Sequence, residues 1–578
     1  MALRFVSFAL AFTLCGQDTG TFPPSRPYRV QLSERGPVRE IGLRDAISLA
    51  LMNNLEIEME GYNRDISQAS TRNARSVYDP VAGLSASILS NNLPVTSILQ
   101  TGLADSQITR SWTANPSLQD NLPGGGTAAL SLNLTRVSTN GLYVLVNPVY
   151  TSTLGLTITQ PLWRGFLRTY AERQIVVARL NEHLTESQFR QKVAYVVEQA
   201  IAAYWRLAVV QEYYETQRQA RDVAVLEYED TRKHQAEAPD AAALAARRSD
   251  VASHDQTVAQ AALQTIQAAN ALKRLLAASI LDPLWGAGLV ASDRPEVNPP
   301  SGTPDAHAQV MGAESRLDGC SSVVGAASGG PCTLEEAIRT ALDRRPELDQ
   351  LRLQLRQSDA EMRYARQETK PAVNLRLELQ AVGDAGRAYA VTDGVVSRVP
   401  DPTNIFYGGP GKAYQQAFGI EHPSIAAGLE IRLPLRNGAA NSQLATVVAS
   451  SHKLQSQLRA VQEDILVEVR NAWETISVQK TNVDTAAAAR RTAEERVAAE
   501  RSKAGGDSGN IEVRRAERDL SDSRTHELQA AIDYQLARVA LEKATDTLID
   551  DQQIVLTRRK AAGHNENPKT ESLSHAGH

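Results

Sequence analysis

The chain has 578 residues, and its 61 Lys plus Arg against 66 Asp plus Glu leave a net charge of −5, which argues against a basic nucleic-acid footprint. Hydrophobic residues reach 42% but aromatics only 5%, the alanine-rich, charge-interspersed composition of long packed helices. No window approaches twenty uninterrupted apolar residues, which excludes a helical membrane channel but not a β-barrel, whose strands alternate.

At the N-terminus, Arg4 precedes an apolar stretch from Phe5 to Cys15 and then Gly16-Gln17-Asp18. This is the plan of a secretory signal peptide over residues 1–20, although no clean Ala-x-Ala marks a cleavage site. Lipidation of Cys15 is an alternative, against which Leu14 stands where a small residue is expected. An apolar tail of an unexported protein is the other.

The chain is written twice. Leu43-Arg-Asp-Ala-Ile-Ser-Leu-Ala-Leu51 returns as Leu334-Glu-Glu-Ala-Ile-Arg-Thr-Ala-Leu342, and each copy opens an amphipathic helix. Asn53-Asn54 and Arg345-Pro346-Glu347 occupy the same relative place. Thr333, with Glu335 and Glu336 behind it, reads as a helix cap. The two helices stop at Asp79-Pro80 and Lys370-Pro371.

Alternating residues follow each stop: Leu84-x-Ala86-x-Ile88, and Val373-x-Leu375-x-Leu377-x-Leu379. Stretches 91–126 and 382–424, rich in Gly, Pro, Asn and Ser, read as exposed loops. Second strands close each half, Leu154-x-Leu156-x-Ile158 and Ala427-x-Leu429-x-Ile431-x-Leu433. The expected strand pairs thus cover 81–160 and 372–434, and Ala129-x-Ser131-x-Asn133 and Leu142 to Val146 extend the first hairpin or its loop. Both pairs end at P-L-x-x-G, Pro161 to Gly165 and Pro434 to Gly438, where a strand gives way to a helix. Trp163 sits at the first corner, fit either to anchor a membrane rim or to pack within the turn.

Long helices come next. Val193, Val197, Ala200, Tyr204 and Leu207 step by 4, 3, 4, 3, as do Ile465, Val469, Ala472, Ile476 and Gln479, a seam for side-by-side helices. Breaks fall near Pro239 and Gly505, each after about 70 residues, hence about 100 Å at the helical rise. The repeats span 40–283 and 333–552. Between them, 284–332 is a Gly/Pro-rich connector, packed outside the body or disordered, and 553–578 is a polar tail. Cys320 and Cys332 lie in the connector; in an oxidising compartment they can close a small loop, and in the cytosol they are two reduced thiols.

No catalytic set, metal cluster or cofactor motif stands out, so neither an enzyme nor a bound cofactor is expected. Gly124-Gly125-Gly126 has no Lys-Ser/Thr behind it and reads as a turn.

The ordered set of helix, strand pair, P-L-x-x-G and long helical hairpin, repeated over residues 40 to 552, resembles the TolC-like outer-membrane efflux protein family. Leu334-Glu-Glu-Ala-Ile and the run Ile511-Glu512-Val513-Arg514-Arg515-Ala516 after Gly505 belong to that resemblance. It implies an α+β membrane protein: a homotrimer whose chains each give four strands to a twelve-stranded outer-membrane β-barrel, continued by a periplasmic α-helical coiled-coil barrel. Ser85, Ser87, Thr157 and Thr159 would face the watery lumen, and the opposite face would meet outer-membrane lipid.

The function so implied is the exit duct of a tripartite efflux pump or type I secretion system. Its partners would be a periplasmic adaptor and an inner-membrane transporter, with no nucleic acid. The resemblance carries adaptor docking onto the helix tips, here Leu244, Arg248, Asp250, Gly505, Val513, Ala516 and Asp519. It carries an acidic pore constriction onto Glu512; Arg515, one turn later, departs from a second acidic ring and offers an ion pair instead. The competing reading is a periplasmic coiled-coil scaffold without channel activity, against which the duplicated strands and the export signal stand.

Overall fold

The computed structural model describes residues 38–95, 101, 104–166, 168–234, 241–293, 333–392, 395–503 and 507–554. The expected signal with Cys15, the Cys320 and Cys332 segment, both helix breaks with Gly505, and the tail from residue 555 lie outside them.

The first half runs β1 (Val38–Ile41), α1 (Leu43–Asn53), α2 (Leu55–Arg75), β2 (Val81–Pro94), β3 (Ser106–Asn121), β4 (Thr127–Thr139) and β5 (Val146–Pro161). Then come α3 (Arg168–Ala171), α4 (Arg173–His234), α5 (Ala241–Leu276) and β6 (Gly288–Ala291). The second half runs α6 (Leu334–Arg344), α7 (Pro346–Glu368), β7 (Ala372–Thr392), β8 (Val395–Pro400), α8 (Pro410–Phe418) and β9 (Pro423–Arg432). It ends with α9 (Gly438–Lys503), α10 (Asp507–Ala544) and α11 (Leu548–Asp551).

Each opening helix is two helices. The Asn54 side chain accepts from the Glu56 and Ile57 amides and starts α2 afresh. In the second half Arg345 is extended and Pro346, with no amide to give, begins α7. Thr333 caps α6 by accepting from the Glu336 amide.

The chain forms two compact units. One draws on residues up to Asp45, Ala203–Arg294 and Ala489–His526. In it β1 and β6 pair in parallel, from Val38 with Gly288 to Ile41 with Ala291. Gln211 grips β6 by donating to the Leu289 carbonyl and accepting from the Ala291 amide, and Tyr204 accepts from the Asp293 amide. The start of the connector, expected to be irregular from residue 284, is therefore an ordered strand.

The other unit draws on Ala46–Ala202, Pro295–Ala488 and from Glu527 onward. Its helical core gathers Leu348, Ile465, Val469, Trp473, Ile476 and Leu541. The seam residues expected in α4, Val193 through Leu207, are all buried. α4 also contains one stretch apolar enough by composition to cross a membrane, but half of it is buried in the protein.

The sheet departs most from expectation. Strand β3 and the end of β2 occupy much of the 91–126 stretch read as loop, and the 382–424 stretch holds the end of β7, β8 and α8. Residues 142–145 are turn, and β5 starts at Val146. The order is β2-β3-β4-β5-β7, with β9 on the other side of β7 and β8 pairing only its far end. Pro116 lacks a ladder donor, and the β3–β4 pairing skips from Ala114 to Ser117 without losing register.

Among the helices, Glu542 is the acid most out of place. Burial, and then the negative charge of Asp551, push its carboxyl up to about 7, while Arg538 pulls the other way. Its Oε2 is buried without a hydrogen-bond partner among the described residues. A folded-state pKa above the unfolded value means the native state holds the extra proton between the two, so stability falls as pH rises through that window. Unfolding followed by circular dichroism in detergent should show lower thermal stability at pH 8 than at pH 6. Glu542→Gln should flatten that slope and stabilise the protein at pH 8 by about 1–3 kcal/mol.

Candidate functional site

The register of the sheet sorts its side chains into two faces. One lateral row reads Ala82, Leu118, Leu130, Leu156, Leu379 and Ile425, each paired with the next. On the same face lie Leu84, Ile88, Leu132, Leu134, Leu154, Ile158, Leu375, Leu377, Leu429 and Ile431. The opposite face carries the row Gly83, Ser117, Ser131, Gly155, Gln380 and Ser424. Ser85, Ser87, Thr157 and Thr159 share this polar face, as expected, though Val81, Leu89 and Leu93 of β2 also fall on it.

Away from the far end of the sheet the apolar face is bare. Leu84 is 74% exposed and Ile425 79%, far beyond what a water-facing surface carries in so continuous a band. Along β5 the band runs from Ile158 to Tyr150, about 27 Å at roughly 3.4 Å per residue. Trp112 and Tyr150 share the row at its far end, and Trp163, 56% exposed, stands at the corner below its near end. An apolar band with aromatics at both margins has the pattern of the lipid-facing surface of membrane β-barrels.

On the polar face, the end nearest the corners carries charge in pairs. Arg376 meets Glu378 at 3.4 Å, and Arg432 meets Glu430 at 2.6 Å. Further along, the Thr151 hydroxyl donates to Asp384 at 2.6 Å.

The corners are built by backbone freedom. Gly165 has φ +90° and is buried against Tyr170, while Pro161 ends β5. In the second copy Asn437 takes the positive φ, at 38°, beside Pro434 and an unencumbered Gly438. Against the first corner sits the β3–β4 turn. Gly125, at φ +77°, leaves no room for a Cβ, which would run into the Gly165 carbonyl. Gln160 donates to the Gly124 carbonyl at 3.0 Å, and Asn121 to that of Val77 at 2.8 Å. The three glycines are thus a turn, as read from the sequence, but one pinned to the strand–helix corner.

The far end of the sheet holds a feature the sequence reading missed. α8 rests on the apolar face, its Ala413 and Ala417 buried, so closely that a Cβ on Gly383 would strike the Ala413 carbonyl. Ser152, paired with Gly383, is buried beneath it. The signal was available: Pro410 at a helix start and alanines four residues apart.

The remaining expected residues lie on α5 and α10. Leu244 is half-buried, and Arg248 and Asp250 are exposed. Val513 is half-buried, whereas Ala516 is 1% exposed and therefore offers no surface to a partner. Asp519 pairs with Arg496 at 2.8 Å, which with Arg501–Glu517 at 2.6 Å laces α9 to α10. Arg515 and Glu512 form an exposed ion pair at 2.8 Å on one helix face. Gly505 lies outside the described residues. Among the described residues no His, Cys, Asp and Glu group could hold a metal.

Residues 337–547 match the model of the outer membrane efflux protein family. That match covers a little over a third of the chain, within the second repeat. The fold is similar to the Campylobacter jejuni CmeC outer membrane channel, at 15% identity and TM-score 0.55, covering 88% of this chain and 86% of that one. It is also similar to a membrane protein from Pseudomonas aeruginosa, at 16% identity and TM-score 0.54, covering 87% and 93%. The open state of the Neisseria gonorrhoeae MtrE channel matches at 16% identity and TM-score 0.51, covering 88% and 90%. No curated protein matches the sequence.

The corner geometry makes Gly125 a test of the hairpin. Gly125→Ala, strained at positive φ and blocked by Gly165, should destabilise the protein by roughly 1 kcal/mol or more. Gly428→Ala, with open space around it, should leave thermal unfolding unchanged.

Proposed function

We propose that three copies close their sheets into one outer-membrane barrel whose helices continue as a periplasmic tube. The tube would be the exit duct of a tripartite efflux pump or type I secretion system. The single observation that carries this reading is the two-faced sheet with a free edge at each end. Among the described residues β2 pairs only with β3 and β9 only with β7, and every residue of both strands is exposed. One chain cannot close such a sheet, and rotation about an axis can.

Transport through the duct is passive. Cargo passes along the polar face, past the paired charges of Arg376, Glu378, Glu430 and Arg432, and the energy comes from the inner-membrane transporter. The periplasmic adaptor docks at the helix ends after α4 and α9, using the exposed Arg248 and Asp250 with Leu244, Val513 and Asp519. Ala516 supports that surface from beneath.

At the entrance, Glu512 and Arg515 form the constriction, each ring of three held by its ion pairs. Exposed pairs of this kind contribute little to stability, about 0–1 kcal/mol each, so their role is in the pore's charge and width.

Planar-bilayer recording of the purified protein tests the duct and the constriction together. The wild type should show small, stable conductance steps, and Glu512→Ala with Arg515→Ala should raise them several-fold. No conducting species at all would contradict the duct. Conductance unchanged by the double substitution would remove this pair from the constriction.

A further inference from the structure

The family resemblance supplies four strands per copy, yet among the described residues six strands are long enough to cross a bilayer. A tilted membrane strand needs about 9–11 residues. β2 has 14, β3 16, β4 13, β5 16, β7 21 and β9 10, whereas β8 has 6. The two additional strands, β3 and β4, form a hairpin between β2 and β5.

Three observations put this hairpin in the wall rather than above it. First, β3 pairs along the full length of β2, from Val81 with Gln119 to Pro94 with Ser106. Second, the apolar row crosses all six strands without a break through Leu118 of β3 and Leu130 of β4, and the polar row does so through Ser117 and Ser131. A loop folded outside a membrane has no reason to repeat the lipid-facing and water-facing alternation of its neighbours. Third, the β3–β4 turn is fastened at the corner end of the sheet, by Gln160 on Gly124, Asn121 on the Val77 carbonyl and the close approach of Gly125 to Gly165. The hairpin therefore descends the whole height of the barrel.

We propose that the assembled barrel has eighteen strands, three copies of six, rather than twelve. This rests on the trimeric duct proposed above. The edges that meet are β2 of one copy and β9 of the next, which run antiparallel because successive strands of the sheet alternate in direction. Diameter grows roughly linearly with strand number, so this barrel is about 1.5 times as wide as a twelve-stranded one, in the range that leaves an open aqueous channel.

The number of helices does not grow with it. Four strand ends per copy continue into helix, at α2, α3, α7 and α9, while the β3–β4 turn ends at the rim. The hairpin widens the barrel without widening the helical tube. Selection by size is thereby assigned to the helices, and the membrane-spanning part admits whatever the helices pass.

Electron cryomicroscopy of the detergent-purified full chain gives the strand count, with a disulfide test in native outer membranes beside it. A Cβ on Gly155 would lie 3.1 Å from the Ser131 hydroxyl, so Ser131→Cys with Gly155→Cys, in a chain whose own cysteines are Ser, should oxidise almost completely. Eighteen strands around a threefold axis with this disulfide formed are the expected results. A trimer with twelve wall strands, the hairpin outside it and the thiols free, would overturn the eighteen-strand barrel and leave the duct standing. A monomer or an open sheet would overturn the duct itself, and the barrel with it. A variant lacking residues 106–139 should remain a trimer and fall to twelve strands; retention of the wild-type diameter would also overturn the proposal.

Discussion

In hydrocarbon an unpaired backbone amide or carbonyl costs several kcal/mol, and this sheet has two long edges that carry such groups. Along β2 and β9 every residue is exposed, and nothing in the chain itself covers either edge among the described residues. Closure with other copies is the solution open to an antiparallel sheet with one apolar face. Much else in the molecule follows from that need. The alternation that puts leucines on one face and serines on the other would serve a closed wall. The corners at Pro161–Gly165 and Pro434–Gly438 matter because they join that wall to helices.

The helical parts answer a different constraint. They bury a narrow stripe rather than a thick core, so small residues share it with large ones: Ala337, Ala341, Ala537 and Ala544 lie among Leu348, Ile465, Val469, Trp473, Ile476 and Leu541. Charged residues then cover the outer surfaces, and several acids are left where water is scarce. Burial pushes Asp546 up to about 6 despite Arg190 at 3.0 Å, as it pushes Glu542 up to about 7. Arg345 is enclosed by Glu347 and Glu468 at the start of α7, where the break in the helix leaves it extended. Arg345 and its two acids stand where the second repeat's opening helices meet its long ones.

The duplicated framework was legible because it is periodic. Heptad stripes, an Asn or Arg-Pro break, and P-L-x-x-G corners all have a local physical cause that a single sequence displays. The hairpin was not legible for equally local reasons. Ser106–Asn121 contains Pro116 and a run of Ser, Thr, Asn and Gln, so its alternation of Ile108, Trp112, Ala114 and Leu118 is diluted by an opposite face as polar as any loop. The end of β7 is similarly hidden, since Gly383 and Ala385 are small to admit α8 and carry no hydrophobic signal. Candidate tip residues were placed by resemblance, which marks positions but not orientation; hence Ala516 was offered as a contact although it faces inward.

The central claim is that the two free edges are each other's partner in the next copy. Cysteines placed on the lumenal side, at Ser85 or Ser87 of β2 and at Ser424, Ala426 or Gly428 of β9, measure this in oxidised outer membranes on non-reducing gels. Closure predicts that at least one β2–β9 pair yields covalent dimers and trimers, and that neither single cysteine does. Monomer bands for every pair, with the single-cysteine chains behaving alike, would contradict it.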